Sequence, residues 1–412
     1  MINELVVIAG GKGTRMAEFF PGVPKLMLPL KNGQTVLSNL VSEISPSRLF
    51  LALGNDYELI TLPKELASVE LRSSVETKPL GTFGALKKLV KENYQELPNV
   101  FPVMLGDLLC AEFDLYQRRD LQLALNAGEN CFFFAKNNHP YDSDRVILQN
   151  DYEIRELITK NSETTQFCNR TLSGLYVFLK QDIASMPLDV GDITHDFMPW
   201  LLERGQVRCR QLTGILRDIG TPNRYIDIVE SGRYLLKRKY LFVDLDGTLI
   251  ADRGSSKEAK FKPIQLKLPC VDMIKKAQEM GHKIIIVTNQ GDIAKGFKTD
   301  EDFRLSMSRL EEELWACGVW IDDYFYCPHH PEKGFPGEVP ELKVPCACRK
   351  PKIGMFLEAK EKWNCEATRS AMIGDSTADQ LFAEELNIKF FDVNELKSNP
   401  NMMTEFDKWI AE

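Results

Sequence analysis

Short apolar runs alternate with amphipathic stretches along the first half of the chain, a pattern typical of strands that alternate with helices. The apolar runs predict strands at Leu5–Ala9, Leu49–Leu53, Val100–Leu105, Cys131–Ala135 and Leu175–Leu179. Helical spacing predicts a helix over Gly84–Glu96. Thr221-Pro222 supplies an N-cap and a first-turn proline for another helix, expected to run to the basic residues 237–239. The first half is therefore predicted to be an α/β fold with a largely parallel sheet.

The same alternation restarts near residue 236. Strands are predicted at Tyr240–Val243, Lys283–Val287 and Ala371–Ile373, with helices at Val271–Glu279 and Asp302–Trp315. No Gly/Ser-rich linker separates the halves. A chain of 412 residues is too long for one ordinary core. We therefore expect two Rossmann-like α/β domains, 1–236 and 237–412.

Composition narrows the classes of partner. The net charge of −8 argues against nucleic acid or an anionic membrane. No apolar run approaches the roughly 18 residues that a membrane-spanning helix needs. Ten cysteines without a secretory signal predict reduced thiols in the cytoplasm. The oligomeric state is left open, a homo-oligomer included.

A glycine-rich turn follows the first predicted strand. It contains Gly10, Gly11, Gly13, Thr14 and Arg15, and Lys25 follows ten residues later. Such glycines let backbone N–H groups approach a phosphate chain, and the two basic side chains supply charge. A turn of this kind by itself also fits a purely structural role, but the full string with a downstream Pro-Lys is more specific.

This string resembles the sugar-1-phosphate nucleotidyltransferase family, whose fold is of the GT-A type. Four later segments resemble further motifs of that family in the same order: Leu80-Gly81-Thr82, Leu105-Gly106-Asp107, Ser173-Gly174-Leu175-Tyr176 and Asp218-Ile219-Gly220. In such enzymes a sugar 1-phosphate oxygen attacks the α-phosphorus of a nucleoside triphosphate, so alignment and charge neutralisation suffice for catalysis.

The resemblance implies a role for each matched residue. The glycines and Thr14 would cradle the phosphates, while Arg15 and Lys25 neutralise them. Gly81 and Thr82 would contact the base, Gly174 the sugar, and Asp107 and Asp218 would hold Mg²⁺. Leu105 stands where the family has Asn, and Lys160 is taken to replace the family's Glu-Lys pair.

Two carboxylates, Asp244 and Asp246, follow the apolar strand YLFV directly. Thr288, Lys350 and Asp375 come later, each in or beside a segment predicted at a strand end. A lone D-x-D-G-T also fits a calcium-loop fragment, but four motifs in order at strand ends favour phosphate chemistry.

These four motifs resemble the haloacid dehalogenase superfamily. By that resemblance Asp244 is the nucleophile and Asp246 the acid and base. Thr288 and Asn289 would hold the substrate and Lys350 would neutralise the aspartyl phosphate. Asp375 would bind Mg²⁺ together with Asp244 and Asp246, with support from Asp379.

A separate set of potential metal ligands lies between these motifs. It consists of Cys327, His329, Cys346 and Cys348, with sixteen residues between the two pairs. Three cysteines and one histidine predict a closed, structural zinc site. Reduced core cysteines are the alternative, but the segment is rich in Pro, Gly and charge.

The zinc loop resembles the D-glycero-D-manno-heptose-1,7-bisphosphate 7-phosphatases, which lack a large cap. Arg349 would then contact the substrate's distal phosphate. Leu245, the insert around Ala251–Lys262, and Ser376 depart from that family's pattern.

The two halves together predict consecutive steps. Removal of the 7-phosphate leaves heptose 1-phosphate, which the first half would join to a nucleotide, GTP being the expected donor. Three alternatives stay open: another sugar 1-phosphate with a phosphatase for histidinol phosphate, a phosphatase for polynucleotide 3′ ends, and a sugar-nucleotide-sensing binding protein.

Overall fold

The structure is a computed structural model. It describes the chain except for residues 1–3, 11–15, 17, 55–57, 59, 61–67, 112–114, 151, 161, 163–166, 236 and 398. The chain divides into two compact units, Met1–Leu235 and Leu236–Glu412.

The first unit is built on a mixed sheet. Its strands are β1 (Glu4–Ala9), β2 (Arg48–Leu53), β3 (Glu70–Val75), β4 (Val100–Leu105), β5 (Leu108–Ala111), β6 (Asn130–Ala135), β7 (Arg145–Leu148), β8 (Ile154–Ile158), β9 (Thr171–Leu179), β10 (Val207–Gln211) and β11 (Ile215–Asp218). The main sheet has the order β10-β6-β9-β4-β1-β2-β3, with β7 and β8 attached beside β9, and β5 pairs separately with β11. Strands β1 to β4 are mutually parallel, whereas β9 runs antiparallel to β4 and β6. The predicted parallel pairing is therefore found among β1 to β4 and between β6 and β10, whereas β9 and the β7-β8 pair run antiparallel to their neighbours.

Helices cover both faces of this sheet. They are α1 (Val36–Ile44), α2 (Gly81–Glu92), α3 (Leu115–Ala127), α4 (Lys180–Ser185), α5 (Met198–Leu202) and α6 (Pro222–Tyr225). Leu5 and Val7 of β1 pack in one core cluster with α1 and α3, while Val6 and Ile8 pack in the other with α2, α4 and α5. This period of two explains why the strand is apolar throughout.

Two helices of the first unit differ from their predicted bounds. Helix α2 begins at Gly81 and ends where Asn93, the C-cap, donates its side-chain amide to Leu89 O at 2.9 Å. The helix predicted from Thr221 to residues 237–239 ends earlier. Its α-helical part is α6, a π-helical turn follows at Ile226–Glu230, and Gly232 then turns the chain at a φ of 74°.

The second unit contains a fully parallel sheet. Its strands are β12 (Tyr240–Val243), β13 (Lys283–Asn289), β14 (Asp323–Cys327), β15 (Ser370–Gly374) and β16 (Lys389–Asp392). They lie in the order β14-β13-β12-β15-β16 and are parallel throughout. The carboxyl ends of β12, β13 and β15 therefore meet at one edge, where a doubly wound sheet places its ligands.

Helices again bury both faces of this sheet. They are α7 (Leu268–Glu279), α8 (Asp300–Ala316), α9 (Gly354–Trp363), α10 (Thr377–Glu385) and α11 (Pro400–Ala411). Leu241 and Val243 pack with α7, α8 and α11, whereas Tyr240 and Phe242 pack with α9 and α10. Both units are thus α/β sandwiches, as predicted.

Among the residues that the structure describes, no helix has the length and apolar character required to cross a membrane.

Candidate active sites

In the first unit a cleft of about 220 Å³ opens where β1 and β4 end. It brings together five of the residues predicted from sequence: Gly10, Lys25, Gly81, Thr82 and Asp107. Glu76 and Gly106 line it as well. The predicted phosphate-binding residues Gly11, Gly13, Thr14 and Arg15 lie outside the described residues.

The two carboxylates predicted to bind Mg²⁺ lie close together in this unit. Strand β11 ends at Asp218, whose register partner Leu108 directly follows Asp107. A Cβ at Gly220 would lie 2.7 Å from Asp107 Oδ2 and 3.0 Å from Asp218 Oδ1. Both carboxylates therefore lie against the backbone of Gly220, where a side chain would displace them. Two carboxylates in this arrangement are suited to a divalent cation.

Basic side chains neutralise both carboxylates. Lys25 Nζ lies 2.7 Å from Asp107 Oδ2. Arg224 pairs with Asp218 through one nitrogen and with Asp142 Oδ2 at 2.9 Å through the other. Lys25 thus lies where it can contact a phosphate held at Asp107, while Arg224 is a contact that the sequence motifs did not single out.

The segment predicted to recognise the base is held by contacts with residues 191–193. Gly81 has a φ of 77°, and a Cβ there would lie 2.3 Å from Gly191 O. Thr82 Oγ1 donates to Asp192 Oδ2 at 2.8 Å and accepts from Ile193 N at 2.9 Å. The hydroxyl of Thr82 therefore anchors the start of α2 to the loop at residues 191–193.

Glu76 is a cleft residue that sequence reasoning missed. Its Oε2 accepts from Leu80 N at 3.1 Å, and its Oε1 would lie 2.5 Å from a Cβ at Gly10. Burial raises the pKa of Glu76. Glu76 follows β3 without a recognisable motif, so only the fold brings it beside the phosphate turn.

Asp218, described above, does not line this cleft, and neither do two further predicted residues, Lys160 and Gly174. Lys160 is exposed, and its backbone N–H donates to Asp144 Oδ1 at 2.9 Å. Gly174 has a φ of 77° and faces the side chains of Leu105 and Leu108. Their contacts with a sugar stay predictions.

In the second unit a buried lysine joins two aspartates. Lys350 Nζ donates to Asp244 Oδ1 and to Asp379 Oδ1, both at 2.6 Å, and to Val287 O at 2.8 Å. Burial raises the pKa of Asp244, because it disfavours the carboxylate. Burial by itself lowers the pKa of Lys350, because it disfavours the charged amine. The negative charges of Asp244 and Asp379 outweigh burial and hold the pKa of Lys350 above its ordinary value.

Side-chain oxygens of Asp244, Asp375 and Asp379 lie within 4.8 Å of one another. Thr248 Oγ1 donates to Asp375 Oδ1 at 3.0 Å. Gly247 has a φ of 93°, and a Cβ there would lie 2.2 Å from Asp375 Oδ2. The backbone therefore leaves just enough room for Asp375 at this site. The carboxyl group of Asp246 is not part of this cluster.

Asp246 contacts a different set of side chains. Gln290 Nε2 donates to Asp246 Oδ2 at 2.9 Å and to Thr288 Oγ1 at 2.8 Å. Arg253 Nε lies 3.7 Å from Asp246 Oδ1. The structure thus brings together the predicted acid and base and the predicted phosphoryl ligand, and it adds Gln290 and Arg253, to which the motifs assigned no role.

Asn289 and Arg349 have contacts within the protein. Asn289 Nδ2 donates to Lys350 O at 3.1 Å, and Lys350 N donates to Asn289 Oδ1 at 2.9 Å. Asn289 therefore holds the segment that carries the buried lysine. Arg349 Nη1 donates to His329 O at 3.4 Å and lies beside Gly291.

A cleft of about 660 Å³ lies beside Lys298, whose amine bonds to Gln290, the hydrogen-bond partner of Asp246. Its walls include Lys257, Lys260 and Phe261 of the insert, Lys298, and Val339 of the zinc loop. The insert and the segment between Cys327 and Cys348 both contribute to this cleft, whose lining does not include Asp244, Asp246, Thr288 or Lys350.

The four potential zinc ligands converge. Cys327 Sγ lies 3.5 Å from Cys346 Sγ, and His329 Nδ1 lies 3.7 Å from Cys327 Sγ and 3.3 Å from Cys348 Sγ. Ligand atoms around a tetrahedral zinc ion lie about 3.5–3.8 Å apart, so the geometry and the donor set fit.

The sequence profiles of two families match the chain. The Nucleotidyl transferase family matches residues 4–233, more than half of the chain, and the Polynucleotide kinase 3 phosphatase family matches residues 239–396. A crystal structure of HddC from Yersinia pseudotuberculosis is similar to 56% of this chain and 100% of its own, at 21% identity and a TM-score of 0.45.

Curated relatives match the second unit. The D-glycero-alpha-D-manno-heptose-1,7-bisphosphate 7-phosphatase of Photorhabdus laumondii subsp. laumondii is 34% identical over 152 residues, which are 37% of this chain and 80% of that enzyme. The D-glycero-beta-D-manno-heptose-1,7-bisphosphate 7-phosphatase of Haemophilus influenzae is 37% identical over 143 residues, 34% of this chain and 73% of that enzyme. The chain therefore belongs to the nucleotidyl transferase family through its first unit and to the heptose-1,7-bisphosphate 7-phosphatase family through its second.

Proposed function

We propose that the second unit removes the 7-phosphate of D-glycero-D-manno-heptose 1,7-bisphosphate and that the first unit transfers GMP from GTP to the resulting heptose 1-phosphate. The observation that carries this proposal is the pairing on one chain of a nucleotidyltransferase with a phosphatase whose relatives act on a sugar bisphosphate. Such a phosphatase leaves a sugar 1-phosphate, which is the kind of substrate that a transferase of this family consumes. The relatives differ in their anomer, so the anomer is not part of the proposal.

The buried aspartate–lysine set supports the phosphatase chemistry. Asp244 Oδ attacks phosphorus, the bond from phosphorus to the leaving oxygen breaks, and Asp246 gives that oxygen its proton. Lys350 stabilises the charge on the aspartyl phosphate. Water then attacks phosphorus, Asp246 takes the water's proton, and phosphate leaves.

The first unit needs no covalent step on the protein. The cleft aligns the sugar phosphate oxygen with the α-phosphorus, and Lys25 beside Asp107 neutralises phosphate charge. Pyrophosphate is the leaving group. The assignment of GTP rests on the resemblance to heptose 1-phosphate guanylyltransferases.

Three metal ions complete this proposal. Asp107 and Asp218 would hold one Mg²⁺, and Asp244 and Asp375 another, with Asp379 near enough to contribute. The carboxyl group of Asp246, a ligand by the resemblance, lies outside this cluster and is left to the proton transfer. Bound Mg²⁺ would supply charge to offset the phosphates. Zinc at the Cys327 cluster would stabilise a loop that has few other means of order.

We also place both reactions in the cytoplasm. All ten cysteines are free thiols. Free thiols are typical of a reducing compartment, and three of these cysteines must stay reduced to bind zinc.

A phosphatase for nucleic-acid 3′ ends is the second candidate, because that family's profile matches residues 239–396. A net charge of −8 does not favour a nucleic-acid substrate.

Two substrate panels test the proposal. In the first, phosphate release is measured from heptose 1,7-bisphosphate, histidinol phosphate and a 3′-phosphorylated oligonucleotide at equal concentration. We expect the bisphosphate to have the highest kcat/KM, and preference for the oligonucleotide would establish the second candidate. In the second, pyrophosphate release is measured with heptose 1-phosphate and each nucleoside triphosphate. Activity with CTP, UTP or ATP but not GTP would refute the guanine assignment.

A further inference from the structure

A chain of hydrogen bonds connects a lysine outside the motifs to the carboxylate of Asp246. Lys298 Nζ donates to Gln290 Oε1, and Gln290 Nε2 donates to Asp246 Oδ2 at 2.9 Å. The same Nε2 donates to Thr288 Oγ1 at 2.8 Å. Thr288 and Gln290 are both 2% exposed or less, so the amide of Gln290 is shielded from water.

The direction of the Gln290 amide follows from its partners. A lysine ammonium is only a donor, so the amide oxygen must face Lys298. An ionised carboxylate is only an acceptor, so the amide nitrogen must face Asp246. Asp246 also opposes rotation of the amide by half a turn, which would turn the amide oxygen toward its carboxylate, whereas the Thr288 hydroxyl can donate or accept and fits either orientation. Lys298 therefore reinforces, from the other end of the amide, the orientation that holds Asp246.

Lys298 is itself held in place by the start of α8. The next residue, Thr299, caps that helix by accepting from Asp302 N at 3.0 Å, and Asp302 Oδ2 accepts from Thr299 N at 2.8 Å. The ammonium of Lys298 lies 5.6 Å from the centroid of the Phe303 ring, where a cation is attracted to the aromatic face. This lysine is therefore a fixed part of the cleft wall.

We propose that Lys298, acting through Gln290, is a positioning residue for the acid step of the phosphatase. When Asp244 Oδ forms its bond to phosphorus, the bond to the leaving oxygen breaks and the proton moves from Asp246 to that oxygen. The amide of Gln290 fixes Oδ2 of Asp246, which leaves Oδ1, 3.7 Å from Arg253 Nε, as the oxygen that carries the proton to the leaving group. This inference rests on the phosphatase chemistry proposed above, because Asp246 must be the acid.

Leaving-group dependence tests this role. An alkyl phosphate needs a proton on its poor leaving group, whereas p-nitrophenyl phosphate does not. We measure kcat/KM for both, since it reports the steps up to the first irreversible one. Lys298→Met and Gln290→Leu should lower kcat/KM about 10-fold for the alkyl phosphate and less than about threefold for the aryl phosphate. Lys298→Arg, which keeps a donor, should restore most of the alkyl activity.

Two variants make the outcome decisive. Lys295→Met removes a lysine from the same loop, whose amine contacts Ser255 Oγ at 2.9 Å and Asp292, and it should leave the ratio of the two rates unchanged. Asp246→Asn should change the ratio more than Lys298→Met does. A changed ratio in Asp246→Asn but not in Lys298→Met or Gln290→Leu refutes the positioning role alone. An unchanged ratio in Asp246→Asn refutes the proposed acid and the inference with it.

Discussion

Replacing Gly247 with alanine should inactivate the phosphatase while the fold survives. The added Cβ would lie 2.2 Å from Asp375 Oδ2, so the carboxylate has to move. A shift of about 1 Å in a positioned group lowers a rate about 100-fold, which is the loss we expect in phosphate release. Since the φ of Gly247 is 93°, alanine also adds backbone strain of about 1–2 kcal/mol.

Gly318→Ala separates strain from displacement. Gly318 has a φ of 75°, but among the described residues, its two chain neighbours apart, no atom lies within 4 Å of a Cβ there. Calorimetry should show both variants lowering the melting temperature of the second unit by roughly 2–8 °C, because each adds about 1–2 kcal/mol of strain. Only Gly247→Ala should lose phosphatase activity, and both should keep nucleotidyl transfer to supplied sugar 1-phosphate. Phosphate release within about threefold of wild type in Gly247→Ala, or an equal loss in Gly318→Ala, would refute the reasoning.

Two further predictions concern the metals and the independence of the sites. Metal analysis should find about one zinc per chain, and Cys346→Ser should lower the melting temperature of the second unit more than Cys317→Ser, which lies outside the cluster. Full stability without zinc would contradict a structural role. Asp244→Asn should lower the rate of phosphate release about 10³-fold or more while nucleotidyl transfer stays near wild type. Asp107→Ala should lower nucleotidyl transfer and leave phosphate release near wild type. A loss of both activities in either variant would show that the sites are not independent.

The features predicted best from the sequence are the buried strands and the residues that follow their carboxyl ends. The strand at Tyr240–Val243 has the bounds that were predicted, and all four of its residues are buried. A short, continuous apolar run is typical of a strand that is buried on both faces. Parallel strands bring their carboxyl ends to one edge, so the motifs that follow β12 and β13 meet there, and Asp246 and Thr288 share Gln290 Nε2 as a hydrogen-bond donor.

Contacts set by the tertiary fold escaped prediction. The bond of Lys298 to Gln290 depends on how a loop returns before α8. Glu76 reaches Gly10 only through the pairing of β2 with β3 beside β1. The antiparallel direction of β9 has no signature in its apolar run, because that pattern fixes burial and not direction.

One coupled assay tests the central claim most directly. The intact protein is supplied with heptose 1,7-bisphosphate, GTP and Mg²⁺, and phosphate, pyrophosphate and nucleotide sugar are measured together. The account predicts GDP-heptose with one phosphate and one pyrophosphate for each molecule formed. Asp244→Asn should stop at the bisphosphate until a separate heptose bisphosphatase is added. Nucleotidyl transfer onto the bisphosphate by Asp244→Asn at the wild-type rate, with no phosphate released, would contradict the proposed order of the two reactions.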